Sequence, residues 1–133
     1  MEKTLTIYTD GGSRGNPGPS ACAFVAETDG REIQKQSKFL GVQTNNFAEY
    51  QGILLALHWV AKQLTIVFCS DSELVVKQLN GIYKIKNQNL KKLNEEIKKI
   101  ILENSLHVVF RNVPREDNII ADALVNTELD KVR

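Results

Sequence analysis

Four carboxylates stand where a chain could put them to chemical use. Asp10 ends an alternating apolar run and is followed by Gly11-Gly12-Ser13-Arg14-Gly15-Asn16-Pro17-Gly18-Pro19, and Asp71 ends a second apolar run inside Ser70-Asp71-Ser72. Glu49 falls three residues after Asn46 at the head of a helical pattern, and Asp122 lies one helical turn beyond Asn118, which reads as the N-cap of a last helix. Each has an ordinary structural use. Asp-Gly and Gly-Gly favour a hairpin turn, because glycine takes positive φ without a Cβ penalty. Asn46 with Glu49 reads as a capping box, and an acid in the first turn of a helix gains up to about 1 kcal/mol from the helix dipole. Gathered together, the four have a better explanation. Oxygen ligands without cysteine or a well-placed histidine suit a hard divalent cation, Mg²⁺ or Mn²⁺. Two such ions about 4 Å apart activate a water and stabilise the leaving oxygen of an in-line phosphoryl displacement, so phosphodiester hydrolysis is the natural chemistry.

Other site chemistries fit less well. No Gly-Lys-Ser/Thr follows the glycines, and they lead into a strand rather than a helix, which argues against a nucleotide P-loop. His58, in a helical pattern, and His107, in a strand pattern, have no paired nucleophile and read as structural or surface residues. Cys22 and Cys69 lie in apolar runs with no CxxC spacing, as buried free thiols do.

The elements that must position the acids follow from hydrophobic period. Residues 4–10 alternate as a strand with Leu5 and Ile7 on one face and Thr6, Tyr8 and Asp10 on the other. A second strand over 21–26, an Asp29-Gly30 hairpin turn and a third strand over 32–40 continue an antiparallel meander. Phe47, Tyr50, Ile53, Leu54, Leu57, Ala61 and Leu64 recur at helical spacing, and the continuous apolar run 65–69 reads as a central strand. Leu74, Val75, Leu79 and Ile82 predict a short helix ended at Asn80-Gly81. Over 87–103 the apolar stripe Leu90, Leu93, Ile97, Ile100 and Ile101 predicts a long helix, with Lys91–Glu95, Lys92–Glu96 and Glu95–Lys99 at ion-pair spacing. A strand over 106–113 and a last helix through Ile120, Ala123 and Leu124 complete an α/β layout with a mixed sheet. If strands one and four are parallel neighbours, Asp10 and Asp71 face each other across a crevice, and their repulsion makes sense only with a shared cation or proton.

The chain's 133 residues, 42% hydrophobic and 25% charged, suit one domain spanning 1–133. Seventeen basic and 16 acidic residues give a net charge of +1, so attraction to a polyanion would have to be local. No apolar run approaches the ~18 residues of a membrane span, and the N-terminus lacks the apolar core of a signal peptide, so a cytoplasmic monomer with no membrane partner is expected.

Four segments in order, YTDGGSRGNPGP at 8–19, TNNFAEYQGILLAL at 44–57, SDSELVVKQLNG at 70–81 and VPREDNIIADALVN at 113–126, resemble type 1 ribonuclease H. The elements between them extend the resemblance over nearly the whole chain, and it looks closer to the compact branch of archaea and many bacteria. It implies the ribonuclease H fold, a five-stranded mixed sheet with helices on both faces, and hydrolysis of the RNA strand of RNA–DNA hybrids to 3′-hydroxyl and 5′-phosphate ends. Its four metal-binding acids fall on Asp10, Glu49, Asp71 and Asp122, holding two Mg²⁺ or Mn²⁺ ions with substrate bound. Its hybrid-contacting positions fall on Gly11, Gly12, Ser13, Arg14 and Asn16, and on Thr44, Asn45 and Asn46, which would meet 2′-hydroxyls and phosphates.

Three departures qualify the resemblance. Arg115 stands where many members carry a histidine, and an arginine that stays protonated implies phosphate contact or product release rather than general base work. Glu73 stands where several relatives have a substrate-contacting amide. A basic helical protrusion found in some relatives is absent, leaving hybrid affinity to Lys84, Lys86, Lys91 and Lys92. Two other functions stay open: a module that binds hybrid or double-stranded RNA with little turnover, and a nuclease of the same superfamily acting on DNA.

Overall fold

The alternation of Leu5 and Ile7 with Thr6 and Tyr8 becomes the central strand of a five-stranded sheet in a computed structural model that describes residues 4–132. Strands β1 (Thr4–Ser13), β2 (Gly18–Thr28) and β3 (Arg31–Gln43) form the expected antiparallel meander. Helix α1 (Asn45–Trp59) leads to β4 (Thr65–Ser70), helices α2 (Glu73–Leu79) and α3 (Gln88–Glu103) to β5 (His107–Asn112), and a 3-10 turn at Arg115–Asp117 to α4 (Ile119–Asp130). The order across the sheet is β3-β2-β1-β4-β5, with β4 parallel to both β1 and β5. The mixed sheet is the one expected, and strands one and four are indeed neighbours.

Side chains alternate across a strand, so the two faces collect different residues. Ile7, Phe24, Ile66 and Phe68 meet Tyr50, Ile53, Leu54 and Leu57 of α1, together with Val75 of α2 and Leu93 and Ile97 of α3. Burying each large side chain contributes roughly 1.5–3 kcal/mol, which makes this face the main core. On the opposite face Ala21 and Ala23 pack against Val125 and Leu129 of α4. Helices therefore cover both faces. Cys22 and Cys69 are buried free thiols, and burial pushes Cys22 up to about 12.

Several local expectations need correction. Asp10, Gly11 and Gly12 do not form the hairpin turn; they continue β1 and pair with Ala23, Cys22 and Ala21. The bend falls at 14–17, where Gly15 takes φ of 96° and the Asn16-Pro17 bond is cis. At the next hairpin Asp29 (φ 51°) and Gly30 (φ 74°) turn as anticipated. Helix α1 begins on a Thr44 cap, whose Oγ1 accepts from the Phe47 N–H at 3.2 Å, and it stops at Val60, so Ala61 and Leu64 fall outside it. The lysine-rich α3 carries Lys99–Glu103 at 3.9 Å rather than the three pairs its spacing suggested. The buried stripe of α4 is Ala121, Val125 and Leu129; Ile120 and Ala123 face outward.

Candidate active site

Parallel register decides where the first two acids meet. Tyr8 pairs with Cys69, the last parallel pair of β1 and β4. Two residues further along each chain stand Asp10 and Asp71, level with one another and on the same side as that pair. Asp10 stays within β1, held by its pairing with Ala23 of β2, whereas Asp71 lies just past the end of β4. Three hydrogen bonds fix that end: Val113 N–H and Asn112 Nδ2 donate to the Ser70 carbonyl at 2.9 and 3.1 Å, and Ser72 N–H donates to Ser70 Oγ at 3.1 Å.

Helix α1 brings the third acid. A Cβ on Gly11 would stand 2.2 Å from the carbonyl carbon and oxygen of Ala48, and one on Gly52 would stand 2.8 Å from the Asp10 carbonyl. These glycines let helix and strand backbones touch. The contact places Glu49 Oε1 2.6 Å from the donating Gly11 N–H, so Glu49 is bound to the strand and not to Asn46 in a capping box. Asp10, Glu49 and Asp71 each offer a carboxylate oxygen within 4.8 Å of the others, and they are the one such metal-capable group among the described residues.

Burial and mutual repulsion act on this trio in the same direction. Burial first, then the charge of Asp71, pushes the Asp10 carboxyl up to about 7. Burial and the charges of Asp10 and Asp71 raise Glu49 well above the ordinary range. Burial also raises Asp71, opposed chiefly by the Arg115 guanidinium. Three acids this close, in a hard all-oxygen donor set, fit a divalent cation, whose charge would remove the repulsion.

Asp122 is exposed on α4 and does not join the trio, but it lines the same cleft of about 210 Å³ with Arg115, Arg14 and Asn45. Asn126, one turn on, donates from Nδ2 to Asp122 Oδ2 at 3.4 Å. Asn118 does not cap α4; its Nδ2 instead donates 2.8 Å to the Thr9 carbonyl of β1. Asn118 thus departs from the cap that its sequence position predicts, and Asn126 is a cleft residue that the four motifs' acids do not point to. The i,i+4 spacing of Asp122 and Asn126 was the available signal for the second, whereas nothing local distinguishes an asparagine that caps from one that reaches a strand. Three roomier hollows, about 400 Å³ against Tyr8 and Ile120, about 480 Å³ at Leu102 and His107 and about 350 Å³ at Trp59 and Leu64, are mainly apolar and hold no converging trio of acids.

The remaining expected positions form the rim. Asn45 Oδ1 accepts from the Ser13 N–H at 3.3 Å, and the Asn45 N–H donates to Asn16 Oδ1 at 3.0 Å, tying the bend to the start of α1. Ser13 Oγ also bonds the Gly15 carbonyl. Gly12 remains partly exposed in β1, Thr44 is exposed at its cap, and Asn46 is half-buried in the first turn of α1. Arg14 is held by Asp130 at 2.6 Å. Glu73 turns to Lys77, also at 2.6 Å, which keeps its carboxyl below the usual range, and Lys77 lies over the Tyr83 ring. Lys84, Lys86, Lys91 and Lys92 are all exposed.

Comparison with known proteins matches this geometry to relatives. A family model described as RNase H matches residues 2–128. Ribonuclease HI of Halobacterium salinarum is 36% identical over 126 residues, covering 92% of this chain and 63% of the relative. The bifunctional protein Rv2228c of Mycobacterium tuberculosis is 36% identical over 130 residues, 95% of this chain and 35% of its own length. The chain thus spans 35% of the length of the first curated relatives it matches. A crystal structure of LC11-RNase H1 in complex with an RNA/DNA hybrid superposes with a TM-score of 0.90 at 38% identity, covering 96% of this chain and 97% of that one.

Proposed function

The chain belongs to the ribonuclease H family, and from that premise we propose that it is an endonuclease that hydrolyses the RNA strand of RNA–DNA hybrids with Mg²⁺ or Mn²⁺. The observation that carries this reading is the convergence of Asp10, Glu49 and Asp71 within 4.8 Å, with Asp122 on the wall of the same cleft. The hybrid bound by the solved relative supports the choice of substrate.

Bound divalent cations would supply Lewis acidity at a phosphodiester and lower the pKa of water there. Asp10 and Asp71 would hold them, Glu49 would complete the first site from α1, and Asp122 would serve a second ion from α4. Water adds across the P–O3′ bond, leaving a 3′-hydroxyl and a 5′-phosphate. Arg115 keeps positive charge beside Asp71 and would contact phosphate. Beside Gly11, whose N–H is committed to Glu49, the partly exposed Gly12 and the polar side chains of Ser13, Asn16, Thr44, Asn45 and Asn46 suit contacts to backbone phosphate and 2′-hydroxyl, which distinguish RNA without reading sequence. Arg14 would join them on leaving Asp130. Exposed lysines at 84, 86, 91 and 92 would follow the duplex. We read residues 1–133 as one domain able to do this as a monomer.

A module that binds without cutting draws less support. Two departures motivate it, the absent histidine and the added charge of Glu73, but Glu73 is neutralised by Lys77 and need not repel phosphate. A labelled hybrid incubated with Mg²⁺ or Mn²⁺, beside double-stranded RNA and duplex DNA, tests the proposal. Cleavage of the hybrid's RNA strand is expected, and its loss in Asp10→Asn; full activity in that variant would overturn the site, and binding without product would favour the module.

A further inference from the structure

Asparagine at the start of a helix ordinarily turns its side-chain oxygen onto the free N–H groups of the first turn. Asn118 does not: α4 begins with no side-chain cap bond. The residue is 1% exposed, and its Nδ2 donates 2.8 Å to the carbonyl of Thr9, the residue immediately before Asp10. The same amide lies beside the Asp71 carboxyl. Its Oδ1 is buried and is the one buried side-chain polar atom without a partner among the described residues. Forgoing a cap and burying an unpaired acceptor both cost stability, so helix formation does not explain this side chain. Residues that contradict local rules gather at functional sites.

The connections of Asn118 supply the alternative explanation. Its carbonyl accepts the Asp122 N–H at 3.1 Å, the first turn of α4. One residue therefore touches β1 next to Asp10, lies beside Asp71 and begins the turn that carries Asp122. We propose that Asn118 is a positioning residue: by tying the start of α4 to Thr9 it fixes Asp122 relative to Asp10 and Asp71, and so sets how tightly the cleft holds divalent cations. The inference rests on reading the four acids as a cation site and goes beyond it by assigning a residue that holds no cation itself.

Serine at 118 separates this role from simple helix support, because its hydroxyl can cap α4 but is too short to reach Thr9. Mn²⁺ titrated calorimetrically into cation-free wild type and Asn118→Ser should bind the variant about tenfold more weakly, a difference of about 1.4 kcal/mol. The variant's melting temperature without metal should stay within a few degrees of wild type, and its hybrid KM within twofold while kcat falls. A folded serine variant with wild-type Mn²⁺ affinity would overturn the proposal. If that variant does not fold, nuclear magnetic resonance of wild type decides: the Asn118 side-chain amide signals should shift along with the Gly11 amide as Mg²⁺ saturates, and signals that stay fixed would refute the role. Wild type that binds Mn²⁺ yet cuts no hybrid would sink the nuclease reading while leaving the affinity comparison intact. Wild type that binds no Mn²⁺ would sink both.

Discussion

The N–H of Gly11 donates a 2.6 Å hydrogen bond to Oε1 of Glu49, joining the central strand to the first buried turn of α1. Such an approach leaves no room for a side chain at position 11, where a Cβ would stand 2.2 Å from the backbone of Ala48. Gly11→Ala should therefore force strand and helix apart, costing about 3 kcal/mol or more, as overpacking against rigid backbone does. Gly12→Ala is the control, since its nearest neighbour is Val125 Cγ1 at 3.6 Å. Thermal melts should show a drop of roughly ten degrees or more for the first and little change for the second.

The acid trio makes cation-free stability depend on pH, and the sign follows from Asp10. Its carboxyl sits at about 7 in the fold, against an ordinary 3.8. Between those values the folded state holds a proton that the unfolded state has lost, so the contribution of Asp10 to stability is fully present below about pH 4 and is lost as pH rises to about 7. Relative to Asp10→Asn, which cannot ionise, wild type should lose about 4 kcal/mol across that window. At pH 8 without metal the variant should melt higher than wild type, and saturating Mg²⁺ should close the gap by stabilising wild type. Equal pH dependence in the two proteins would rule out the trio as its source.

How much of this was readable beforehand depended on the range of the interaction. The α1 stripe of Tyr50, Ile53, Leu54 and Leu57 and the apolar run of β4 specify their elements by period, and Asp10 and Asp71 could be paired once parallel neighbours were assumed. Local signals misled where a distant partner decided the outcome. Asp10-Gly11-Gly12 looks like a turn because glycine permits one, yet here the missing Cβ admits a helix from elsewhere in the chain. Glu49 looks like a capping residue until Gly11 claims it, and Asn118 like a cap until Thr9 does. The stripe of α4 was misplaced because small Ala121 contributes little hydrophobic signal, while bulky Ile119 and Ile120 remain exposed.

Glu73 should matter little to substrate binding. Lys77 neutralises it at 2.6 Å, and the same lysine bonds the Tyr83 hydroxyl at 3.2 Å. Glu73→Gln is expected to leave hybrid KM within about twofold, as for an exposed ion pair. Lys84→Ala and Lys86→Ala should instead weaken binding, each reducing the slope of log affinity against log salt by about 1 if it contacts a phosphate. Fluorescence anisotropy across a salt series, without divalent metal, separates the two outcomes.

Arg115 offers the sharpest test of how this cleft works without a histidine. It lines the cleft from the 3-10 turn, and its charge is the largest influence holding the Asp71 carboxyl down. A guanidinium that stays protonated cannot exchange protons with substrate, so its contribution must be electrostatic. Arg115→Ala should then do two things at once. Losing a phosphate contact should lower kcat/KM by about tenfold, equivalent to about 1.4 kcal/mol of transition-state stabilisation. Losing the positive charge should also let Asp71 titrate higher, moving the acidic limb of the pH–rate profile upward and raising the Mg²⁺ concentration needed for half-maximal rate. Arg115→Lys restores charge without the planar fork, so it should recover the pH limb and metal requirement more fully than the affinity for hybrid. An Arg115→Ala profile with an unmoved acidic limb would mean that the guanidinium acts on substrate alone.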